Sequence, residues 1–201
     1  MTSFQNLKEL VFGKLEKELP AHLSYHNIDH TIDVVHATES IAAKEGIDEN
    51  DKRLLLTAAL FHDTGFLSGR EGHETASCAI VRRYLPEYNY QPVEIEAICG
   101  MIMATRLPQS PKNQLEQILC DADLDYLGRD DFFVLSNRLF DELLSEKLLN
   151  NENEWNIEQT GFMDNHRYFT KTSVKLRQPK KEQYIEVIRS KNLNNVLNEN
   201  L

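Results

Sequence analysis

Seven histidines are spread over the 201-residue chain, and four of them stand where they could share a task with carboxylates. His62 and Asp63 are adjacent, at the end of the apolar run Leu54-Leu55-Leu56-Thr57-Ala58-Ala59-Leu60-Phe61. Leu55, Leu56, Ala59 and Leu60 fall at helical spacing, and Gly65 reads as the stop. The pair therefore sits at the C-terminal end of a buried helix. A buried carboxylate is costly unless it is paired or bound to a metal. A neutral imidazole beside it offers one nitrogen and one oxygen to a divalent cation. The plainer reading is that His62 and Asp63 simply lead the chain out of the helix.

His26 and His30 flank Asn27, a helix cap for a segment from Ile28 to Lys44 that Gly46 closes. His30 precedes Val34 by one helical step and so lies on or near the inward face. It reads equally well as a satisfied core residue or as a ligand. His73 and Glu74 open a helix that runs to Tyr84, before Pro86, either as capping residues or facing the site as a further ligand, proton carrier or water holder. A helix over Asn113–Leu127, stopped by Gly128, carries Asp121, Asp123 and Asp125. Asp123 borders the apolar stripe of Leu115, Ile118, Leu119, Ala122 and Tyr126, while Asp121 lies on the opposite side and Asp125 towards the far edge. Asp123 is thus the first choice for a carboxylate drawn inward.

The elements that must position these residues read as helices throughout. Phe4 to Leu19 forms an apolar face closed by Pro20, and Pro92 suits the first position of a helix that reaches Ala104. Thr105 and Arg106 follow it, as a simple helix exit or as groups facing a phosphate. Asp131 to Leu149 is a further helix, on which Glu142 to Lys147 reads as a solvated face. A last block starts near Trp155 and contains the dense stretch Asp164-Asn165-His166-Arg167-Tyr168-Phe169-Thr170. Its aromatics suit packing, with the alternative that His166 and Arg167 reach the site. The division expected is a single domain over 1–201, with the motifs in 25–128, a helical extension over 129–190 and a frayed tail over 191–201.

Composition bounds the function. The net charge of −10 argues against a broad nucleic-acid-binding face. Cys78, Cys99 and Cys120 stand far apart in apolar helical contexts, which suits reduced core thiols. No signal peptide or spanning segment is visible, so a cytoplasmic protein without a membrane partner is expected.

The ordered set Tyr25-His26-Asn27-Ile28-Asp29-His30-Thr31, Leu60-Phe61-His62-Asp63-Thr64-Gly65 and Cys120-Asp121-Ala122-Asp123-Leu124-Asp125 resembles the HD superfamily of metal-dependent phosphohydrolases. The first piece is similar to stretches of cyclic-nucleotide phosphodiesterases in that superfamily. Phe162 to Arg177 is similar to the C-terminal part of bacterial predicted HD phosphohydrolases. The resemblance implies an all-α HD-domain bundle with a metal site between helices. It implies His30, His62, Asp63 and Asp123 as ligands of a divalent ion (Mn, Fe, Co, Zn or Mg) and His26 as proton donor. His73 is the second candidate for that role and, with Glu74, leaves a binuclear site open.

The activity expected is hydrolysis of a phosphomonoester or phosphodiester in a small metabolite, a nucleotide above all, with Asp63 in the catalytic set. Arg70, Arg106 and Arg167 are candidate phosphate clamps, and Glu74, Thr105 and His166 are grouped with them on the substrate side. The alternative is a metal-containing sensor module without turnover. A homo-oligomer is compatible with everything above.

Overall fold

In the computed structural model, residues 3–199 are described, with side chains over 4–191. Ten α-helices and three short 3-10 segments make up the regular structure, with no strand among the described residues. The chain divides into two compact units, 1–124 and 125–201.

The first unit holds α1 (Ser3–Glu18), α2 (Ile28–Glu45), α3 (Glu49–Phe61), α4 (His73–Tyr84), α5 (Pro92–Ala104) and α6 (Gln114–Asp123). Its helix starts follow from local chemistry. Asn27 Oδ1 accepts from the backbone N–H groups of Asp29 and His30, Asp48 caps α3 and Asn113 caps α6. Gly46 ends α2 in the left-handed conformation at φ 73°, where a side chain would be strained.

Helix α3 packs against α2, α5 and α6, and its residues from Thr57 to Phe61 are all buried. Leu55, Ala58, Ala59 and Leu60 meet Val34 and Ile41 of α2, Ile98 and Ile102 of α5, and Ile118 and Leu119 of α6 in one apolar core. The two alanines let the neighbouring helices come close. The three cysteines are buried and unbridged.

Two helix ends depart from expectation. Gly65 is not the stop of α3. That helix ends at Phe61, and a 3-10 turn over Thr64–Ser68 carries the chain onward through Gly65. Helix α6 ends at Asp123 rather than Leu127, and a 3-10 segment over Asp125–Gly128 follows. Its apolar residues Tyr126 and Leu127 continue the helical pattern, which hides the break. Asp121, expected on the far side of α6, is fully buried, because α2, α3 and α5 enclose that helix on more than its apolar stripe.

The second unit holds α7 (Phe132–Ser145), α8 (Glu152–Asn165), α9 (Lys171–Leu176) and α10 (Gln178–Glu199). Asp125 belongs here. Its carboxylate accepts a two-pronged bond from Arg177, with Nε at 2.7 Å and Nη2 at 3.0 Å. Gly128 lies so close to Arg177 that a Cβ would come 2.3 Å from its carbonyl oxygen. Phe132 stacks on Tyr184 at 4.7 Å between centroids. Lys181, 1% exposed, donates to Met163 O and His166 O and so caps the C-terminal end of α8 with a positive charge. Glu142, expected on a solvated face, is fully buried. The expected frayed tail falls mostly on 192–201, whose side chains lie outside the described residues, and α10 itself runs to Glu199.

Candidate metal centre

Three helices of the first unit deliver four side chains to one point. His30 comes from the first turn of α2, where the Asn27 cap fixes the backbone that carries it. His62 follows the last residue of α3, and Asp63 leads into the 3-10 turn. Asp123 is the last residue of α6. The ligand atoms of His30, His62 and Asp123 all lie within 4.8 Å of one another. The two Nε2 atoms are 3.3 Å apart. Asp123 Oδ1 lies 3.3 Å from His30 Nε2 and 3.4 Å from His62 Nε2. Asp63 Oδ2 lies 3.3 and 3.2 Å from the same two nitrogens.

Backbone carbonyls orient the rings of His62 and His73. His62 Nδ1 lies 2.8 Å from the carbonyl oxygen of Ala59, one turn back in α3. A carbonyl only accepts, so Nδ1 carries the proton and Nε2 turns to the cluster. His73 uses the same device, with Nδ1 donating to Arg70 O at 2.9 Å. Its Nε2 then faces Asp63 Oδ1 at 3.4 Å and Glu74 Oε1 at 3.7 Å. Asp63 thus presents one oxygen to His30 and His62 and the other to His73. His73 thus lies against Asp63, with Glu74 beside it. Gly72 holds the cap position of α4 instead, without a side-chain bond.

Electrostatics follow from this crowding. Burial opposes protonation of His30, yet Asp123 and Asp63 together raise it to about 9. His62 is buried too, and Asp63 and Asp123 hold it well above its ordinary value. For Asp63, burial alone would favour the neutral acid, but His62 and His30 hold it well below the usual carboxylate range. Asp123 is lowered in the same way, against burial, by His30 and His62. His73 is raised by Asp63 against its own desolvation.

The donor set fits a divalent cation. Asp63 Oδ2 is buried and has no hydrogen-bond partner among the described residues, although it points at two imidazole nitrogens. A bare buried carboxylate oxygen is costly, and a cation between it and the two Nε2 atoms would satisfy all three at once. Two imidazoles with two carboxylates suit Mn, Fe, Co or Zn, and Mg with additional water ligands.

Residues 27–125 match the sequence profile of the HD domain. That stretch, just under half of the chain, is an HD domain. Curated proteins include no significant match. Among solved structures, a predicted HD superfamily hydrolase from an uncultured Thermotogales bacterium shares the fold. The TM-score is 0.63 at 20% identity, over 94% of this chain and 91% of that one.

Around the cluster, Phe66 is the residue that sequence reasoning missed. Phe66 is 1% exposed, and its ring stacks on that of His26 at 4.3 Å and 18° and packs, tilted by 33°, against that of His73 at 4.3 Å. Arg70 lies over the same ring at 5.3 Å. Tyr25 packs its ring 4.8 Å from that of His30. Ser77 ties the turn after the His-Asp pair to α4, donating to His62 O at 2.6 Å and accepting from Gly65 N–H at 2.8 Å. Gly65 is required by close approach, since a Cβ there would fall 1.8 Å from His73 O. Only that glycine, three residues past His62, hinted at any of this in the sequence.

The substrate-side candidates divide. Arg70 and Glu74 lie beside His73. The Thr105 hydroxyl donates to Ile102 O at 2.8 Å, so its proton serves the exit of α5, and Arg106 after it is exposed. His166 and Arg167 belong to the second unit, where Lys181 Nζ lies 3.2 Å from His166 Nδ1 and Arg167 is exposed. Among the described residues no helix is long and apolar enough to cross a membrane.

Proposed function

We propose that this HD-domain protein hydrolyses a phosphoester bond in a small metabolite, with a nucleotide as the expected substrate class. The observation that carries the reading is the unsatisfied Asp63 Oδ2 facing His30 and His62 Nε2 in a buried cluster completed by Asp123. In this reading His30, His62, Asp63 and Asp123 hold a divalent cation. Such an ion supplies Lewis acidity and makes water nucleophilic near neutral pH.

The remaining steps fall to the chain's own groups. His62 stays oriented because its Nδ1 proton is held by Ala59 O. Asp63 Oδ1 fixes His73 Nε2 at the edge of the cluster, where that nitrogen can pass a proton to or from the reacting groups. His26, held flat against Phe66, is the donor of a proton to the leaving oxygen. Arg70, carried on the loop just before α4, is the cation placed to steer a phosphate towards the cluster.

The test is turnover of a phosphoester panel (nucleoside monophosphates, a cyclic nucleotide, an aryl phosphodiester) by protein loaded in turn with Mn, Fe, Co, Zn and Mg. Hydrolysis that is lost on chelation and in Asp63→Ala supports the reading. Metal uptake without turnover of any member would favour a metal-containing sensor instead.

A further inference from the structure

The second unit contains a cavity of about 330 Å³ between α7, α8 and α10, within the size range of small-molecule sites. Its walls combine two kinds of surface. Phe140 and Trp155 present nearly parallel rings, 6.1 Å between centroids and 19° apart. The same lining carries two carboxamides and a hydroxyl: Asn156 and Gln159 on α8 and Ser136 on α7, which are 7%, 4% and 2% exposed. Gln159 Nε2 donates to Ser136 Oγ, which holds the carboxamide in one plane. Gln159 makes no other hydrogen bond among the described residues, so its carbonyl oxygen is left to accept from a ligand. Asp141, exposed at the mouth, adds a carboxylate acceptor.

Polar groups this deeply buried are not needed to close an apolar core, and the Ser136–Gln159 pair holds a carboxamide acceptor in the same lining as an aromatic pair. That pairing matches a flat heterocycle with a donor in its own plane, of the kind adenine presents at its exocyclic amino group. Charge narrows the class. The lining carries Asp141 and Glu152 against Lys191, and Lys191 already lies over the Phe133 ring at 5.3 Å. A phosphate would meet net negative charge there. The acceptors Gln159 Oε1 and Asp141 favour a ligand that donates from an exocyclic amino group.

We infer that this cavity is a binding site for a neutral, amino-bearing nucleobase or its nucleoside, separate in chemistry from the metal centre. The inference stands whether or not the first unit hydrolyses phosphoesters, because the lining residues all belong to the second unit.

Trp155 is the single tryptophan of the chain, so its fluorescence reports on this cavity alone. The full-length protein, with and without added Mn, is titrated with adenosine, inosine, AMP and glucose. Excitation is at the red edge, where the nucleosides do not absorb. The site predicts saturable quenching by adenosine, half-complete in the range of about 0.01–1 mM. Inosine, which lacks the amino group, and AMP, which adds charge, should each bind at least about fivefold more weakly. Gln159→Leu should weaken adenosine about tenfold. Asp141→Ala, at an exposed position, takes away one of the two acceptors and should reduce the preference for adenosine over inosine. No saturable quenching by any nucleoside, equal quenching by glucose, or unchanged discrimination in Asp141→Ala would each overturn the inference.

Discussion

A carboxylate oxygen between two imidazole nitrogens must share a proton or a cation, and the choice depends on pH. His30 is raised to about 9 from an ordinary value of 6.5 by Asp123 and Asp63, against its burial. In protein stripped of metal, the stabilisation from charged His30 is therefore complete below about pH 6.5 and lost as pH rises through about 9. The depressed carboxylates Asp63 and Asp123 act oppositely, contributing above about pH 4 and losing their contribution as pH falls below it. Chemical denaturation of stripped protein should thus show a maximum between those limits and a decline towards pH 9. Asp63→Ala should flatten the alkaline decline. Apparent affinity for Mn should run the other way and rise with pH, since the ion must displace the shared protons. An affinity independent of pH between 6 and 9 would contradict the pairing. Ser77→Ala removes a donor to His62 O and an acceptor for Gly65 N–H in a fully buried place. It should cost about 1–3 kcal/mol of stability and loosen metal retention, read by denaturation and by metal dissociation rate.

Between elements, the start of α4 is pressed against the turn that follows α3. Gly65→Ala would place a Cβ 1.8 Å from His73 O, so α4 must shift and carry His73 away from Asp63. The expected result is reduced metal content together with a lower melting temperature, whereas Gly69→Ser, in open space at the end of the same turn but at φ 119°, should cost stability alone. Phe66→Leu keeps an apolar filler but removes the ring against which His26 and His73 pack. It should retain metal, lose the ring-current shifts of both histidine resonances, and lower kcat more than KM. Unshifted histidine resonances would show that the stack does not hold the rings. These roles explain what could be read from sequence and what could not. The starts of α2, α5 and α6 were legible because Asn27, Pro92 and Asn113 act through their immediate neighbours. The end of α6 was hidden because Tyr126 and Leu127 prolong a helical pattern across a 3-10 turn. Asp123 was chosen for bordering the apolar stripe, yet Asp121 and Asp125 are the more deeply buried and Asp123 is distinguished by closing α6 beside His30 and His62. Phe66 was invisible because a single aromatic in a glycine-flanked loop has no periodicity to betray it.

At the scale of the molecule, two compact units raise the question of how each is held. The first has a large apolar core and, in this account, a cation at its polar centre. A ligand that binds only the folded form stabilises it by about 2.7 kcal/mol at a hundredfold excess over Kd, so added Mn should raise the unfolding transition of the first unit. In the second unit Arg177→Ala would take the two-pronged partner from Asp125, which is 4% exposed, and leave it only Arg129 Nη1 at 3.6 Å. Because Arg177 itself is partly exposed, the expected loss is about 1–3 kcal/mol, read by denaturation. The central claim is that His30, His62, Asp63 and Asp123 form one cation site, and metal content tests it most directly. Elemental analysis of wild type and Asp123→Ala, purified without chelator and again after incubation with Mn, Fe or Zn, should give about one or two equivalents in wild type. A clear loss is expected in the variant with its helical content intact. Equal metal in both proteins, or none in wild type after incubation, would contradict the account.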